Sequence, residues 1–159
     1  DGAEKTGTQT VTVDGDSYSF SFKTSGAAKG QGLQGKKDNS FYVNGRKVKA
    51  DADDKYDVYT YVNDEKSSDY KKMTKESVKD LFSQQNTSSA SYADNSDYKG
   101  DKGSTQNTFF KNAYASNSYA YVVIGSSGQW VKSGTKKDGD DYKIVVKDSG
   151  KIYGIYYEK

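Results

Sequence analysis

The stretch from Thr8 to Phe22 reads TQTVTVDGDSYSFSF, and it decides what kind of fold the chain adopts. Thr8–Val13 and Ser17–Phe22 both alternate polar with apolar residues, which is the period-2 pattern of a strand with one buried face. Asp14-Gly15-Asp16 lies between the two runs and is typical of a tight turn. The pattern therefore predicts a β-hairpin with one apolar face and one Thr/Ser face that meets water.

Two further hairpins are indicated by turn residues between apolar runs. Asn44-Gly45 favours a type I′ turn, because both central residues of that turn need a positive φ. Asp148-Ser149-Gly150 separates two longer runs in the same way. Tyr121–Ile124 and Ile144–Val146 show no alternation, which predicts central strands that are covered on both faces.

One helix is predicted at about 75–85, because Val78, Leu81 and Phe82 have the i, i+3, i+4 spacing of an apolar helix face. Thr74 is the predicted N-cap, and Glu76 in the first turn would interact favourably with the helix dipole. A helix of this length is marginal by itself, so we expect it to pack on one face of a sheet.

The composition favours a predominantly β domain with a thin core. The chain has 159 residues, which suits a single domain, and its 15 tyrosines compensate for only two leucines and four isoleucines. We predict an α+β, predominantly β fold in which antiparallel hairpins form one sheet or a small sandwich. The predicted organisation is a polar N-terminal tether at 1–7 and a single β-rich domain at 8–159, with a long polar excursion at 83–108.

The missing residue types exclude several classes of chemistry. The chain has no Cys and no His, which excludes disulfides, thiolate zinc sites and Ser-His-Asp catalysis. Its lysines are interleaved with aspartates, which cancels the positive electrostatic potential that would attract phosphate groups. Arg46 is its one arginine, so the chain also lacks the bidentate donors that nucleic-acid binders use. No stretch is long and apolar enough for a transmembrane segment. We therefore expect neither a nucleic-acid partner nor a membrane span.

Aspartate clusters on turns are the best candidates for metal binding. The strongest cluster contains Asp51, Asp53, Asp54 and Asp57, and carboxylate oxygens on a turn are the ligands that calcium prefers. The spacing is not that of an EF-hand, since Tyr56 takes the glycine position and Val62 takes the position of the closing glutamate. Aspartate is also common in ordinary turns, so a calcium site and a plain turn both remain open. No other cofactor is expected.

Exposed aromatic rings are the candidates for ligand binding, because planar rings stack on sugars and contact proteins at low entropic cost. The candidates lie next to turns, on strand faces or in the polar excursion: Trp130, Tyr92, Tyr98, Tyr59 and Tyr61. The alternative is that these rings form the core, since large aliphatic residues are scarce.

The segment Gly35–Val48, with Phe41-Tyr42-Val43-Asn44-Gly45 at its centre, resembles one hairpin of the aromatic cell-wall-binding repeats. The resemblance covers less than a tenth of the chain and does not recur along it. It implies a hairpin over this segment, and no residue role is carried over from it.

These observations favour an exported, cell-surface or envelope-attached domain that binds a protein or glycan partner without catalysing a reaction. The polar start at Asp1 indicates the processed mature chain of an extracellular or cell-envelope protein. One alternative is a filament or pilus-type subunit that self-assembles by donating residues 8–13 as an edge strand. The other is a small glycan-active hydrolase that uses Asp carboxylates, two of which would have to face each other across a cleft.

Overall fold

The computed structural model describes residues 5–62, 72–83, 104–108, 119–147 and 149–158. In this part of the chain antiparallel strands form three sheets, and one short helix accompanies them. The elements in chain order are β1 (Gly7–Val13), β2 (Asp16–Phe22), β3 (Gly35–Lys37), β4 (Ser40–Val43), β5 (Arg46–Lys47), β6 (Tyr56–Val62), β7 (Met73–Glu76), α1 (Val78–Ser83), β8 (Ser104–Thr108), β9 (Tyr119–Gly125), β10 (Trp130–Val131), β11 (Gly134–Lys137), β12 (Tyr142–Lys147) and β13 (Lys151–Glu158).

The first sheet, which we call the hairpin sheet, has the strand order β1-β2-β5-β4-β3. The predicted N-terminal hairpin is confirmed, with β1 and β2 paired in unbroken register from Gly7↔Phe22 to Val13↔Asp16. Its turn residues Asp14 and Gly15 both have positive φ, as a type I′ turn requires. β2 joins the rest of the sheet through the pair Phe20↔Arg46 with β5 and the bridge Phe22↔Gly32, so the turn end of the hairpin extends beyond these backbone partners.

The second sheet, which we call the middle sheet, has the order β10-β9-β6-β7. The third, the C-terminal sheet, has the order β11-β12-β13-β8. The Asn44-Gly45 turn joins β4 to β5 and the turn before Lys151 joins β12 to β13, which confirms both predicted hairpins. β9 and β12 each have partners on both sides, as predicted for Tyr121–Ile124 and Ile144–Val146.

Two core clusters place the middle sheet between the other two sheets. One cluster joins Val58 and Val123 of the middle sheet to Ile144 and Ile155 of the C-terminal sheet. The other joins Val122, Ile124 and Trp130 of the middle sheet to Phe41 of the hairpin sheet. Because successive strand residues point to opposite faces, β9 supplies both cores and is buried on both sides. Full burial of each such side chain contributes roughly 1.5–3 kcal/mol.

The fold class is confirmed as predominantly β with one short helix, and where the sequence predicted one sheet or a small sandwich, three sheets are present. The helix packs as expected, since Val78 and Leu81 enter the core beside the C-terminal sheet. Its predicted start is wrong. Residues 73–76 form β7, and Ser77 caps the helix by accepting a hydrogen bond from the N–H of Asp80 at 3.2 Å. Pairing with β6 from Val58↔Glu76 to Tyr61↔Met73 overrides the local helical preference of this segment.

Two polar segments contain strands that the sequence pattern did not indicate. Residues 104–108, the end of the predicted excursion at 83–108, form β8 and pair with β13. Gly35–Lys37 forms β3 at the edge of the hairpin sheet. The predicted tether at 1–7 already enters β1 at Gly7. Residues 1–4, 63–71, 84–103 and 109–118 lie outside the described residues.

α1 spans only the six residues Val78–Ser83. Among the helices of the described residues, none has the length and hydropathy that a bilayer crossing needs.

Candidate functional site

The predicted acidic cluster forms at the start of β6, where a turn folds back on itself. The carbonyl oxygen of Asp51 accepts hydrogen bonds from the N–H groups of Asp54 at 3.2 Å and Lys55 at 3.1 Å. Lys55 has a φ of 63°, which reverses the chain just before the strand. The turn places carboxylate oxygens of Asp51, Asp54 and Asp57 within 4.8 Å of one another. Three of the four predicted metal ligands therefore converge, whereas Asp53 is not in the group.

The ammonium group of Lys75 fills the centre of this cluster. Its Nζ lies 2.9 Å from Asp51 Oδ2, 2.7 Å from Asp54 Oδ2 and 3.2 Å from Asp57 Oδ2. Lys75 is on β7, whose pairing with β6 places Lys75 opposite Tyr59. We call these four side chains the Asp-Lys cluster. Had Lys75 begun the helix predicted at about 75–85, this strand pairing would not have placed it here.

Burial differs strongly among the three carboxylates. The side chain of Asp57 is 5% exposed, whereas that of Asp51 is 75% exposed. Asp57 also accepts a hydrogen bond from the backbone N–H of Asp51 at 3.1 Å, which holds the turn against the strand. Burial raises the pKa of Asp57, while the hydrogen bond from Lys75 lowers the pKa of Asp54. Burial alone would lower the pKa of Lys75, but its hydrogen bonds to the three aspartates outweigh burial and raise it.

The cluster therefore contains its own cation. Calcium takes six to eight oxygen ligands, and it would have to displace the Lys75 ammonium to reach all three carboxylates. Calcium binding stays a prediction, and it depends on how easily Lys75 moves aside. Asp53 has a different role, because its backbone carbonyl lies against Gly139, where an added Cβ would collide with it.

A second buried carboxylate lies on the loop that packs against this turn. Asp138 is 6% exposed and accepts hydrogen bonds from the N–H groups of Asp140 at 3.0 Å and Tyr142 at 2.8 Å. Burial raises the pKa of Asp138 to about 6. The next residue, Gly139, donates its N–H to the carbonyl oxygen of Asp54 at 2.8 Å. The two acidic loops therefore stabilise each other through backbone contacts.

The chemistry of the Asp-Lys cluster suits structure better than catalysis. A lysine nucleophile or base needs a lowered pKa, and that of Lys75 is raised. Glycoside hydrolases hold their two carboxyl groups about 5–9.5 Å apart with room for a sugar or water between them. Here the carboxylates lie closer together and share one ammonium, so none of the three is free to act on a substrate.

Trp130, one of the predicted ligand-binding rings, lies inside the protein. It is 8% exposed, and its ring contacts Phe41 edge-on at a centroid distance of 5.6 Å. An added Cβ on Gly150 would touch the indole at 2.6 Å, so the β12–β13 turn covers it closely. The expectation that Trp130 is exposed is wrong. In a chain so poor in leucine and isoleucine, this large ring fills the space between two sheets.

The two predicted strand tyrosines are half-buried and pack beside the same core. Tyr59 donates a hydrogen bond from its hydroxyl to the carbonyl oxygen of Lys49 at 3.0 Å, and burial raises its pKa to about 12. Tyr61 contacts Phe41 edge-on at 5.1 Å. Both rings therefore contribute to packing, and a ligand-binding role for them stays a prediction. Tyr92 and Tyr98 lie outside the described residues.

The sequence reasoning missed the exposed apolar surface of the N-terminal hairpin. Val11 is 43% exposed and Val13 is 51% exposed, although the alternating pattern predicts a buried face for them. Tyr18, Phe20 and Phe22 share this face and are half-buried. None of the five residues belongs to either core cluster. The available signal was the complete lack of charge between Thr6 and Val13, which is unusual for an exposed strand.

Comparison with known proteins identifies no relative. No protein-family model matches the chain, and no curated protein or solved structure shows significant similarity to it. Function is therefore inferred from the geometry of the chain's own sites.

Proposed function

We propose that the chain is a non-catalytic binding domain, exported to the cell surface or envelope, that contacts a protein partner through the β1–β2 hairpin. The observation that carries this proposal is the uncharged edge strand β1 with its exposed Val11 and Val13. Exposed strands of this kind are sites for pairing with another chain, since their outer N–H and C=O groups lack ladder partners.

The exposed face of the hairpin is a chemically suitable contact surface. Val11 pairs with Tyr18 across the hairpin, so their side chains lie together on the apolar face. The guanidinium group of Arg46 lies 4.1 Å from the centroid of the Tyr18 ring. Aromatic and arginine side chains beside exposed aliphatic groups are typical of protein interfaces.

The other edge strands of the described residues show how different β1 is. β3 and β11 carry two lysines each, β7 carries Lys75 and Glu76, and β10 has only two residues. β8 is uncharged but consists only of polar residues. Lysines and short length are the usual devices that prevent pairing between sheet edges. β1 is seven residues long and has neither device, which supports a binding role for this edge.

The non-catalytic part of the proposal is supported by the carboxylates. The three that converge each form an ion pair with the one ammonium of Lys75, and Asp138 accepts hydrogen bonds from two backbone N–H groups. The glycan-hydrolase alternative gains no support from these groups.

Export is supported by composition alone, since a chain without cysteine and rich in Ser, Thr, Asp and Lys suits an envelope protein that never relied on disulfides.

The test is binding of the purified, labelled chain to isolated cell envelopes of the organism that produces it. We expect saturable binding that the double variant Val11→Lys, Val13→Lys weakens at least about tenfold, because it places two charges on the contact face. Thr135→Lys is the matched control, since it adds a charge to an edge strand that already carries lysines. Protease treatment of the envelopes distinguishes a protein partner from a glycan.

Three results would contradict the proposal. They are absence of binding, equal binding by the double variant, and release of reducing sugar from the envelopes by the wild-type chain. Urea denaturation of each variant, monitored by tyrosine fluorescence, shows whether a loss of binding is caused by a loss of folding.

The same edge strand favours a second candidate, a filament subunit. In that case β1 leaves its own hairpin and completes a neighbouring subunit, as residues 8–13 were expected to do. Open polymers that pellet in the ultracentrifuge would distinguish this function from binding of a separate partner.

A further inference from the structure

We propose that the partner of β1 is a second copy of the chain, paired antiparallel with β1 of the first about a two-fold axis at Thr10. This inference rests on the proposed function, because it names the protein that the hairpin edge binds. It follows from the direction of the outer backbone groups, the charge pattern along the strand and the symmetry of its side chains.

The hairpin register determines which backbone groups of β1 point outward. A two-residue turn is closed by a hydrogen-bonded pair, here Val13↔Asp16, and such pairs alternate along an antiparallel ladder. Gly7, Gln9, Val11 and Val13 therefore direct their N–H and C=O groups toward β2. Thr8, Thr10 and Thr12 direct theirs to the open side, where no described strand pairs with them.

This outward set is complementary to itself. In an antiparallel pair centred on Thr10, each Thr10 faces the other, and Thr8 of one copy faces Thr12 of the second. All outward N–H and C=O groups of the three threonines then find partners. A shift of the register by one residue would place outward-pointing backbone groups of one strand opposite inward-pointing groups of the other. The register between the two strands can therefore shift only by two residues at a time. The register centred on Thr10 overlaps the largest part of Gly7–Val13.

Charge complementarity favours the same register. Gly7–Val13 contains no charged residue, so two copies meet without repulsion along the ladder. Lys5 precedes the strand, and Asp14 and Asp16 flank the turn that follows it. The two-fold axis brings Lys5 of each copy toward the turn of the other, which carries Asp14 and Asp16. Each end of the interface therefore carries opposite charges.

Both faces of the joined sheet also fit. On one face Val11 lies diagonally opposite Val11 of the second copy, so these two exposed valines cover part of one another, while Val13 lies opposite Gly7. On the other face the threonines form cross-strand pairs, which are favourable in antiparallel sheets. Because a two-fold contact uses the same patch on both copies, it closes as a dimer and leaves no open end.

The first experiment measures the mass of the full chain over a concentration series by light scattering and sedimentation equilibrium. We expect the wild type to dimerise and Thr10→Lys to raise the dimer dissociation constant at least about tenfold, because the axis places the two new charges face to face. Thr135→Lys on β11 should dimerise like the wild type. Urea denaturation checks that Thr10→Lys remains folded.

The second experiment identifies the register by cysteine cross-linking. The chain has no cysteine, so a single substitution introduces the only thiol. Residues directly opposite in a hydrogen-bonded pair have Cα atoms about 5.5 Å apart, within the range of a disulfide. With mild oxidant, Thr10→Cys should cross-link rapidly, Thr8→Cys alone slowly, and an equal mixture of Thr8→Cys with Thr12→Cys rapidly.

Each other outcome overturns the inference. A wild type that stays monomeric, a dimer that Thr10→Lys does not weaken, open polymers, and cross-linking of Thr8→Cys alone as fast as Thr10→Cys are all incompatible with it. Failure here is distinguishable from failure of the proposed function. A monomer whose envelope binding still depends on Val11 and Val13 removes the second copy as partner and leaves the binding function in place.

Discussion

β9 and β1 are both regular seven-residue strands rich in β-branched residues, yet their surroundings are opposite. β9 pairs with β10 on one side and β6 on the other, and Val122, Val123 and Ile124 are at most 1% exposed. β1 pairs only with β2 among the described strands, and Val11 and Val13 are 43% and 51% exposed. Strand propensity is therefore satisfied in both places, whereas burial is achieved in only one.

The difference shows which part of the molecule stabilises the fold and which part is available for contact. The middle sheet is covered by the hairpin sheet on one face and by the C-terminal sheet on the other. Among the described residues, no residue of the β1–β2 hairpin belongs to either core cluster, and β5 pairs with β2 at a single residue pair. Substitutions in the two regions should therefore differ in what they change, namely stability in the middle sheet and association at the hairpin.

The largest expected effect is on the stability of the middle sheet. Ile124→Ala should lower the free energy of unfolding by about 2–5 kcal/mol, because it leaves a cavity at a fully buried position. Val11→Ala should lower it by less than about 1 kcal/mol, because the side chain is already partly solvated. Urea denaturation measures both values. Equal losses would show that the hairpin face is covered in solution.

The second effect concerns the Asp-Lys cluster at the edge of the middle sheet. Lys75→Met should lower stability at pH 7 by about 1–3 kcal/mol, because Asp57 is left buried without a cation. The loss is smaller than for a fully buried pair, since Lys75 and Asp51 are 42% and 75% exposed and solvent screens them. The loss should shrink at acid pH as Asp57, whose pKa is raised, takes up a proton, and more slowly for Asp54, whose pKa lies below its ordinary value of 3.8. Lys23→Met, at an exposed position, is the control.

The same variant tests the calcium prediction. With the ammonium removed, the three carboxylates are free to bind a cation, so calcium should raise the melting temperature of Lys75→Met and a chelator should reverse the rise. The wild type should respond much less, because Lys75 occupies the centre of the cluster. If calcium stabilises both proteins equally, Lys75 leaves the cluster readily and the wild type has a calcium site.

The third effect is a pH dependence from Asp138. Its pKa of about 6 in the folded chain exceeds the ordinary value of 3.8, so between these values the folded state binds more protons than the unfolded state. Its contribution is fully present below about pH 4 and is lost as the pH rises through about 6. Asp138→Asn keeps the acceptor for Asp140 and Tyr142 and removes the charge. This variant should be more stable than the wild type at pH 8, by about 1–3 kcal/mol, and similar to it at pH 4.

Asp138→Ala is the matched control, because it removes the acceptor together with the charge. It should lower stability at both pH values, since two buried N–H groups lose their partner. Thermal denaturation from pH 4 to pH 8 measures all three proteins. An unchanged pH profile in Asp138→Asn would show that other groups cause the dependence.

The smallest effect is expected in the hairpin. Arg46→Ala removes the guanidinium group from the Tyr18 ring and should lower stability by about 0.5–1 kcal/mol. Hydrogen exchange should become faster in the β1–β2 pair and stay unchanged in β9, because the hairpin opens without disturbing the middle sheet. Equal acceleration in β9 would show that the two regions unfold as one unit.

Local patterns predicted those features of the fold that depend on neighbours in the chain. The turns at Asp14-Gly15 and Asn44-Gly45 follow from residues that adopt positive φ, and both are present. The unbroken apolar run Tyr121–Ile124 correctly indicated a strand covered on both faces. The start of the helix at about 75 was predicted wrongly, because the four residue pairs that Met73–Glu76 forms with β6 outweigh the local helical preference.

The candidate sites were predictable only in part. Three of the four aspartates converge as their spacing suggested, but the ammonium among them comes from Lys75 on another strand. The exposure of Val11 and Val13 could not be predicted either. An alternating pattern indicates that a strand has an apolar face, but it does not indicate whether another element covers that face.

Taken by itself, the amino-acid sequence determined the strand-rich character, the hairpin turns, the exclusion of cysteine and histidine chemistry, and the reliance on aromatic rings for packing. Tertiary structure alone decided the number of sheets, the cation in the Asp-Lys cluster, the burial of Trp130 and the exposure of β1. The physical reason is the sequence separation of the interacting residues. Turn formation and alternation are set by a few consecutive residues, whereas burial and ion pairing depend on which strands, distant in sequence, pack against one another.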